Sequence, residues 1–243
     1  MRITWRRGFS RPSRGHSIRP HRLTPGWRAS RARREACRDV SSKSLGVVDY
    51  GSGNLRSVRK ALEASGATTV LISDVGQLAA VDAVVVPGVG SFGDCAANLQ
   101  ATGLWEPLRE WIEAGRPYLG ICLGYQLLFE ASEESPGVKG LGILPGTVVR
   151  FSSSRLKVPH MGWNTVSGLK GPLFCGLPEE TAFYFVHSFY PAPADPLLAS
   201  SLCDYGGPFA ASVSKGSLHA TQFHPEKSQA AGLAVLRNFL TTL

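Results

Sequence analysis

The chain has 243 residues, 43% hydrophobic and 18% charged, which suits one large domain and excludes a disulfide-stapled miniprotein, a coiled coil and a wholly disordered chain. No run approaches the about 18 apolar residues of a transmembrane helix, and five scattered cysteines (Cys37, Cys95, Cys122, Cys175, Cys203) with no CxxC pair point to a reducing compartment. The net charge of +8 is uneven: residues 1–44 hold 13 Lys+Arg against 2 Asp+Glu, whereas residues 45–243 hold 13 against 16, so the basic excess is no sign of a nucleic-acid partner for the folded part.

Residues 1–44 alternate Arg with Ser, Pro, Gly and Trp and show neither helical nor strand periodicity. They read as a basic extension, a disordered leader or a start codon set too far upstream; an organellar transit peptide and a nucleic-acid arm stay open as alternatives. From Leu45 the pattern changes. Leu45 to Tyr50 reads as a buried strand, Asn54 to Ser65 as a helix stopped by Gly66, and Thr69 to Ile72 and Ala83 to Val86 as two more strands with a short helical segment between them. Helices over Asp94 to Ala101 and Leu104 to Ala114 follow, then a strand over Tyr118 to Ile121 and a helix over Leu123 to Ala131. Strands alternating with helices in this way predict a parallel sheet covered on both faces. After Gly146 the texture turns β-rich, with strands over Thr147 to Phe151, Phe183 to Tyr190, Leu197 to Cys203, Phe209 to Val213 and Leu218 to Phe223, and a last helix over Gln229 to Leu240. Residues 45–243 thus read as a single α/β domain with a mostly parallel central sheet flanked by helices and a β-rich C-terminal half.

Gly120-Ile121-Cys122-Leu123-Gly124 stands at a predicted strand-to-helix junction. Two glycines around a nucleophilic side chain allow a tight turn that leaves the middle residue exposed at the carboxyl edge of a sheet, where a helix N-terminus favours a thiolate. The amide of Leu123 points into the same space and can stabilise an oxyanion. A cysteine nucleophile needs a base, and the base needs a group to hold its tautomer. His224 and Glu226, separated by Pro225, supply that pair after the last predicted strand. Two glycine-rich loops, at Asp49 to Asn54 and Pro87 to Gly93, also follow strands, and the second reads either as a source of N–H groups for a carboxylate or an oxyanion or as a plain tight turn. Arg56 stands where a dinucleotide fingerprint has its third glycine, and no P-loop motif occurs, so these loops carry no nucleotide signal.

Taken together, GICLGYQLLF (120–129) and FHPEKS (223–228) resemble the class I, triad-bearing glutamine amidotransferases. DYGSGNLRSV (49–58), PGVGSFGDC (87–95), VPHMGWN (158–164) and YFVHSFY (184–190) are similar to one branch, the glutaminase subunits of imidazole glycerol phosphate synthases. The resemblance runs from about Leu45 to the C-terminus. It implies Cys122 as nucleophile, His224 as general base and acid, Glu226 as its orienting group, and the backbone amides of Leu123 and Val89 as oxyanion donors. It further implies that Gly90, Gln126, His187, Ser188 and Phe189 hold L-glutamine, with Phe189 where tyrosine is frequent. Asn54, Trp163, Tyr184 and Lys227 fall where the branch faces its synthase partner. The implied activity is hydrolysis of L-glutamine through a cysteine thioester, with ammonia passed to a (β/α)₈ cyclase subunit in a cytoplasmic heterodimer that makes imidazole glycerol phosphate and aminoimidazole carboxamide ribotide in L-histidine biosynthesis. No metal or organic cofactor, nucleic acid or membrane is implied. Alternatives are a triad glutaminase of another biosynthetic pathway, an α/β cysteine hydrolase acting on other amides, and a non-catalytic binding protein on the same fold, which would be expected to lack a triad member.

Overall fold

The computed structural model describes residues 43–151 and 156–243. Of the basic extension, only Lys43 and Ser44 fall in this range; the readings made for the rest lie outside the described residues. Ser44 already belongs to the first strand, where its N–H donates to Asp82 Oδ2 at 2.8 Å, so the sheet starts one residue before the expected boundary.

In chain order the elements are β1 (Ser44–Val48), α1 (Leu55–Ala64), β2 (Thr68–Ile72), β3 (Ala83–Gly88), α2 (Phe92–Ala101), α3 (Trp105–Glu113), β4 (Tyr118–Cys122), α4 (Leu123–Gln126), β5 (Ala131–Ser132), β6 (Gly146–Arg150), β7 (His160–Ser167), β8 (Thr181–His187), β9 (Phe189–Pro193), β10 (Ala199–Asp204), β11 (Pro208–Lys215), β12 (Leu218–Thr221) and α5 (Gln229–Thr241). Nine strands form one sheet in the order β2-β1-β3-β4-β12-β11-β10-β7-β8, and β5-β6-β9 form a second. The expected parallel sheet runs from β2 to β12, and the β-rich C-terminal half extends it with antiparallel pairings from β12 to β8.

Each central strand sends alternate residues to opposite faces, and each face has its own core. Val84, Val86 and Tyr118 pack with Phe92, Leu99, Leu108 and Trp111 of α2 and α3. Ala83, Val85, Leu119 and Ile121 pack on the other side with Val58 and Leu62 of α1 and Val235 and Phe239 of α5. Burial of β3 and β4 on both faces explains why they read as unbroken apolar runs.

Three departures from the expected elements have physical causes. The helix predicted over Leu123 to Ala131 stops at Gln126: the Gly124 carbonyl is taken by the Tyr118 hydroxyl and the Leu127 carbonyl by the N–H of Leu141, and the N–H groups of Leu128 and Phe129 tighten to i→i−3 bonds on Tyr125 and Gln126. The strand predicted over Phe183 to Tyr190 breaks at Ser188, so that β8 stays in the large sheet while β9 pairs with β6 in the small one. Strand β7 was not expected at all. Over its first half the inward positions carry His160, Gly162 and Asn164 while Met161 and Trp163 face outward, which inverts the usual half-buried alternation; only Val166 near its end is apolar and buried, with Thr165 and Ser167 exposed.

Candidate active site

Strands β3, β4 and β12 lie side by side and parallel, so their carboxyl ends deliver three chain segments to one place. The end of β3 presents Val89 and Gly90, the end of β4 presents Cys122, and the chain leaving β12 presents Gln222 and His224. They meet at a cavity of about 240 Å³, which is smaller than the roughly 300–1,000 Å³ that houses drug-sized ligands. Val89, Gly90, Leu123, Gln126, His187, Ser188 and Phe189, all expected to bind substrate or oxyanion, line it together with Cys122 and His224.

Cys122 sits at φ 54° and ψ −104°, a backbone conformation that strains a residue bearing a Cβ by on the order of 1–3 kcal/mol. The flanking glycines make that turn possible by close approach. A Cβ on Gly124 would lie 1.8 Å from the carbonyl oxygen of Val86, and one on Gly120 would lie 2.5 Å from that of Gly124. Helix α4 can therefore start directly on the end of β4, with the N–H of Leu123 at its first position and without an intrahelical acceptor.

His224 Nδ1 is 2.8 Å from Glu226 Oε1, and both side chains are almost fully buried. Burial alone would depress the imidazole, but the charge and hydrogen-bonding reach of the Cys122 sulfur, followed by the hydrogen bond and charge of Glu226, outweigh it and raise His224 to about 10. The sulfur and the carboxylate both favour the protonated imidazole between them. Its Nε2 has no well-aligned hydrogen bond among the described residues, so the influence of Cys122 on it is chiefly electrostatic. The loop that carries the pair is clamped to β8 through Tyr184. The N–H of His224 donates to the Tyr184 carbonyl at 2.9 Å. The Ser228 hydroxyl accepts from the Tyr184 N–H at 3.0 Å and donates to the His224 carbonyl at 2.7 Å. Pro225 opens a single 3₁₀ turn that places Glu226 under the imidazole.

Other cysteines are differently placed. Burial raises the thiol of Cys95 despite its hydrogen bonds to Ser52 and Tyr50, and burial raises Cys203 to about 12. The carbonyl of Val89 is held by the Ser52 hydroxyl, which ties the loop after β1 to the loop after β3.

Sequence reasoning missed Glu134, Pro159 and Val186, which line the cavity, and Gln222, which lies behind it against Cys122 and Gln126. Glu134 is the only carboxylate among the cavity's lining residues, and its Oε2 accepts from the N–H of Phe92 at 2.7 Å. Gln222 is fully buried; its Nε2 donates to Cys122 Sγ at 3.6 Å and its Oε1 accepts from Gln126 at 3.1 Å. Gln222 directly precedes the FHPEKS motif, but nothing in the sequence says that it reaches a cysteine 100 residues away. The polar group that Phe189 contributes is its carbonyl, which accepts from Gln126 Nε2 at 3.0 Å and from His187 Nδ1 at 2.9 Å, so nothing in this arrangement calls for a hydroxyl on the ring.

Of the residues expected at a partner interface, three form one cluster. Trp163 is half exposed and meets the Tyr184 ring edge-on at 6.2 Å, and Lys227 Nζ stands 5.7 Å above that ring. Asn54 stands apart as the N-cap of α1, where its side chain accepts from the N–H of Ser57 at 3.4 Å. Among the described residues no group of three His, Cys, Asp or Glu side chains converges as a metal site requires, and no helix is long and apolar enough to cross a membrane.

The model of the family "glutamine amidotransferase class-I" matches residues 46–243. A protein of Rhodopirellula baltica named imidazole glycerol phosphate synthase subunit HisH is 48% identical over 196 residues, covering 80% of this chain and 96% of its own. A protein of the same name from Methylococcus capsulatus is 50% identical over 209 residues, covering 81% and 95%. Among solved structures, that of PurLQS from Thermotoga maritima superposes with a TM-score of 0.66 at 20% identity over 82% of this chain and 97% of its own. A crystal structure described as a glutamine amidotransferase gives 0.63 at 20% identity, covering 82% and 99%. At that identity the two structures speak for the fold alone.

Proposed function

Because the chain belongs to the class-I glutamine amidotransferase family, we propose that it is the glutaminase subunit of an imidazole glycerol phosphate synthase in L-histidine biosynthesis. The observation that carries the reading is the buried array Cys122–His224–Glu226, in which the carboxylate holds the imidazole at 2.8 Å and the imidazole lines the cavity together with Cys122.

In this reading Cys122 Sγ attacks the side-chain carbonyl carbon of L-glutamine. The oxygen that becomes negative is met by the N–H groups of Leu123 and Val89. His224 gives its Nε2 proton to the departing nitrogen, so ammonia leaves and a thioester remains. The neutral imidazole then takes a proton from water, which attacks the thioester; glutamate leaves and the Cys122 sulfur and imidazolium are restored. Glu226 keeps the ring turned with Nε2 toward the cavity throughout. Gln126 and Glu134 supply acceptors for the N–H groups of the substrate, and a cavity of this size accommodates a small amino acid.

The name shared by the relatives makes each of them one subunit of a synthase, so this chain works with a partner subunit. We take that partner to be a (β/α)₈ cyclase, the complex to be a heterodimer in the cytoplasm, and the exposed cluster of Trp163, Tyr184 and Lys227 to be part of the surface the cyclase covers. An aromatic and a lysine beside the catalytic loop suit a second protein that caps the site and keeps ammonia from bulk water. The test is glutamate release by the complex. Cys122→Ala should lower it by on the order of 10⁴ or more and abolish covalent trapping by a glutamine-like electrophile, while Cys95→Ala keeps most of it. Substantial turnover by Cys122→Ala would overturn the mechanism.

A further inference from the structure

Behind the cavity wall runs a chain of hydrogen bonds that the catalytic array does not use. Asn164 Nδ2 lies 3.2 Å from His160 Nε2, His160 Nδ1 lies 3.0 Å from His187 Nε2, and His187 Nδ1 lies 2.9 Å from the carbonyl of Phe189. The same carbonyl accepts from Gln126 Nε2, which also donates to Gln222 Oε1, whose Nε2 donates to Cys122 Sγ. His160 and His187 are both buried, and the His160 ring is stacked between Phe185 at 4.8 Å and Tyr205 at 4.0 Å.

Backbone groups fix the direction of this chain. Asn164 Oδ1 accepts from the N–H of Thr165 at 2.8 Å and its Nδ2 donates to the carbonyl of Asp204 at 2.9 Å, so the amide cannot be turned over. Its second N–H is a donor to His160 Nε2, which leaves the proton of His160 on Nδ1. At the other end a carbonyl can only accept, so His187 carries its proton on Nδ1 and offers Nε2 as an acceptor. The two ends demand the same tautomers. Burial keeps both rings neutral, as the arrangement needs, with His160 lowered to about 4 and His187 to about 3.

The consequence falls on Gln126. Both of its N–H groups are committed, to Phe189 and to Gln222, and its Oε1 is left buried without a partner among the described residues. The one uncommitted group of the amide is therefore an acceptor and not a donor. Were His187 to move its proton to Nε2, a ring lone pair would face the Phe189 carbonyl, the carbonyl would retreat, and the Gln126 amide would lose what holds it.

We propose that His160 and Asn164 are positioning residues of the glutamine pocket, which fix the tautomer of His187 and through the Phe189 carbonyl hold Gln126 with its acceptor toward the substrate. This rests on the glutaminase reading above. Neither residue touches the cavity, so sequence position alone assigns them no part in it.

Two measurements on the full chain and on its synthase complex test the assignment. Nitrogen-15 spectra of the histidine rings should show both His160 and His187 neutral and protonated at Nδ1; a His187 protonated at Nε2 overturns the proposal without any variant. His160→Phe keeps the ring stack and removes both nitrogens. It should raise KM for glutamine about tenfold, leave kcat within about threefold, and mix the tautomers of His187. His160→Gln restores one donor and one acceptor close to the ring nitrogens' positions and should bring KM part of the way back toward the wild-type value. Asn164→Leu, which leaves the ring in place, should act like a weaker His160→Phe and replaces it if that variant does not fold. An unchanged KM in these variants, an equal loss in kcat, or a His160→Gln no better than His160→Phe would refute a positioning role. A wild-type complex that releases no glutamate refutes the glutaminase reading instead, while the ring spectra still decide the network.

Discussion

Replacing Glu226 by Gln keeps the shape of the side chain and removes its charge. The carboxylate accepts the Nδ1 proton of His224 at 2.8 Å, both groups are almost fully buried, and its second oxygen has no hydrogen-bond partner among the described residues. The amide has two poor choices. With its oxygen toward Nδ1 it buries an unsatisfied NH₂ group, at about 1–3 kcal/mol. With its NH₂ toward Nδ1 it drives the proton to Nε2, the wrong tautomer for a base. The same swap in a Ser-His-Asp triad lowers kcat by on the order of 10⁴. Here the Cys122 sulfur does more than Glu226 to keep His224 protonated, so the expected fall in kcat is smaller, about 10²–10³. No atom of Glu226 lines the cavity, and KM for glutamine should change by less than about threefold. The pH dependence has a definite sign. His224 is raised from 6.5 to about 10, so its contribution to stability is full below pH 6.5 and is lost as pH rises through about 10. Glu226→Gln lowers that pKa; the alkaline limb of the rate should move to lower pH, and the destabilisation should be greatest at and below neutrality. Glutamate release by the complex from pH 6 to 10, with denaturant titrations at both ends, measures all of this. A variant that keeps a tenth or more of kcat with an unmoved alkaline limb would show that Glu226 does not orient the imidazole.

Gly124→Ala puts a carbon 1.8 Å from the Val86 carbonyl oxygen, so β3 and the elbow must part by more than an ångström; kcat should fall by about 10² or more and the melting temperature should drop, and a fully active variant would contradict the elbow geometry. Trp163→Ala and Lys227→Ala should impair formation of imidazole glycerol phosphate from glutamine and spare its formation from added ammonium salt in the same complex; equal loss in both assays would place the damage in the cyclase, and no loss in either would place these residues away from the interface. Burial lowers His160 and His219 to about 4 and His187 to about 3, so the neutral rings contribute stability above pH 6.5 that is lost as pH falls toward 4. Urea titrations should give up to about 1.4 kcal/mol of lost stability per pH unit for each of the three, and a flat profile over that range would mean that they are not buried neutral.

The chemistry at Cys122, His224 and Glu226 was legible in the sequence because each piece is a local geometry. Two glycines around a cysteine encode a strand-to-helix turn through close approach, and a carboxylate two residues after a histidine reaches its ring within one turn. The alternating strands and helices up to Cys122 were legible for the same reason: short apolar runs and helical spacing are properties of neighbouring residues. What the sequence could not state is which distant polar groups meet. Gln222 reaches Cys122, His160 reaches His187, and Ser228 locks onto Tyr184 across separations of 100, 27 and 44 residues. Hydrogen bonds of this kind leave no periodic trace, since they depend on which strand ends the sheet order brings side by side. Strand β7 was hidden for a related reason: over residues 160–164 its inner face carries the histidine chain and its outer face Met161 and Trp163, so in that half hydrophobicity pointed the wrong way. Local sequence determined the reactive groups; tertiary packing alone decided the tautomers, the amide orientation and the wall of the cavity in which they act.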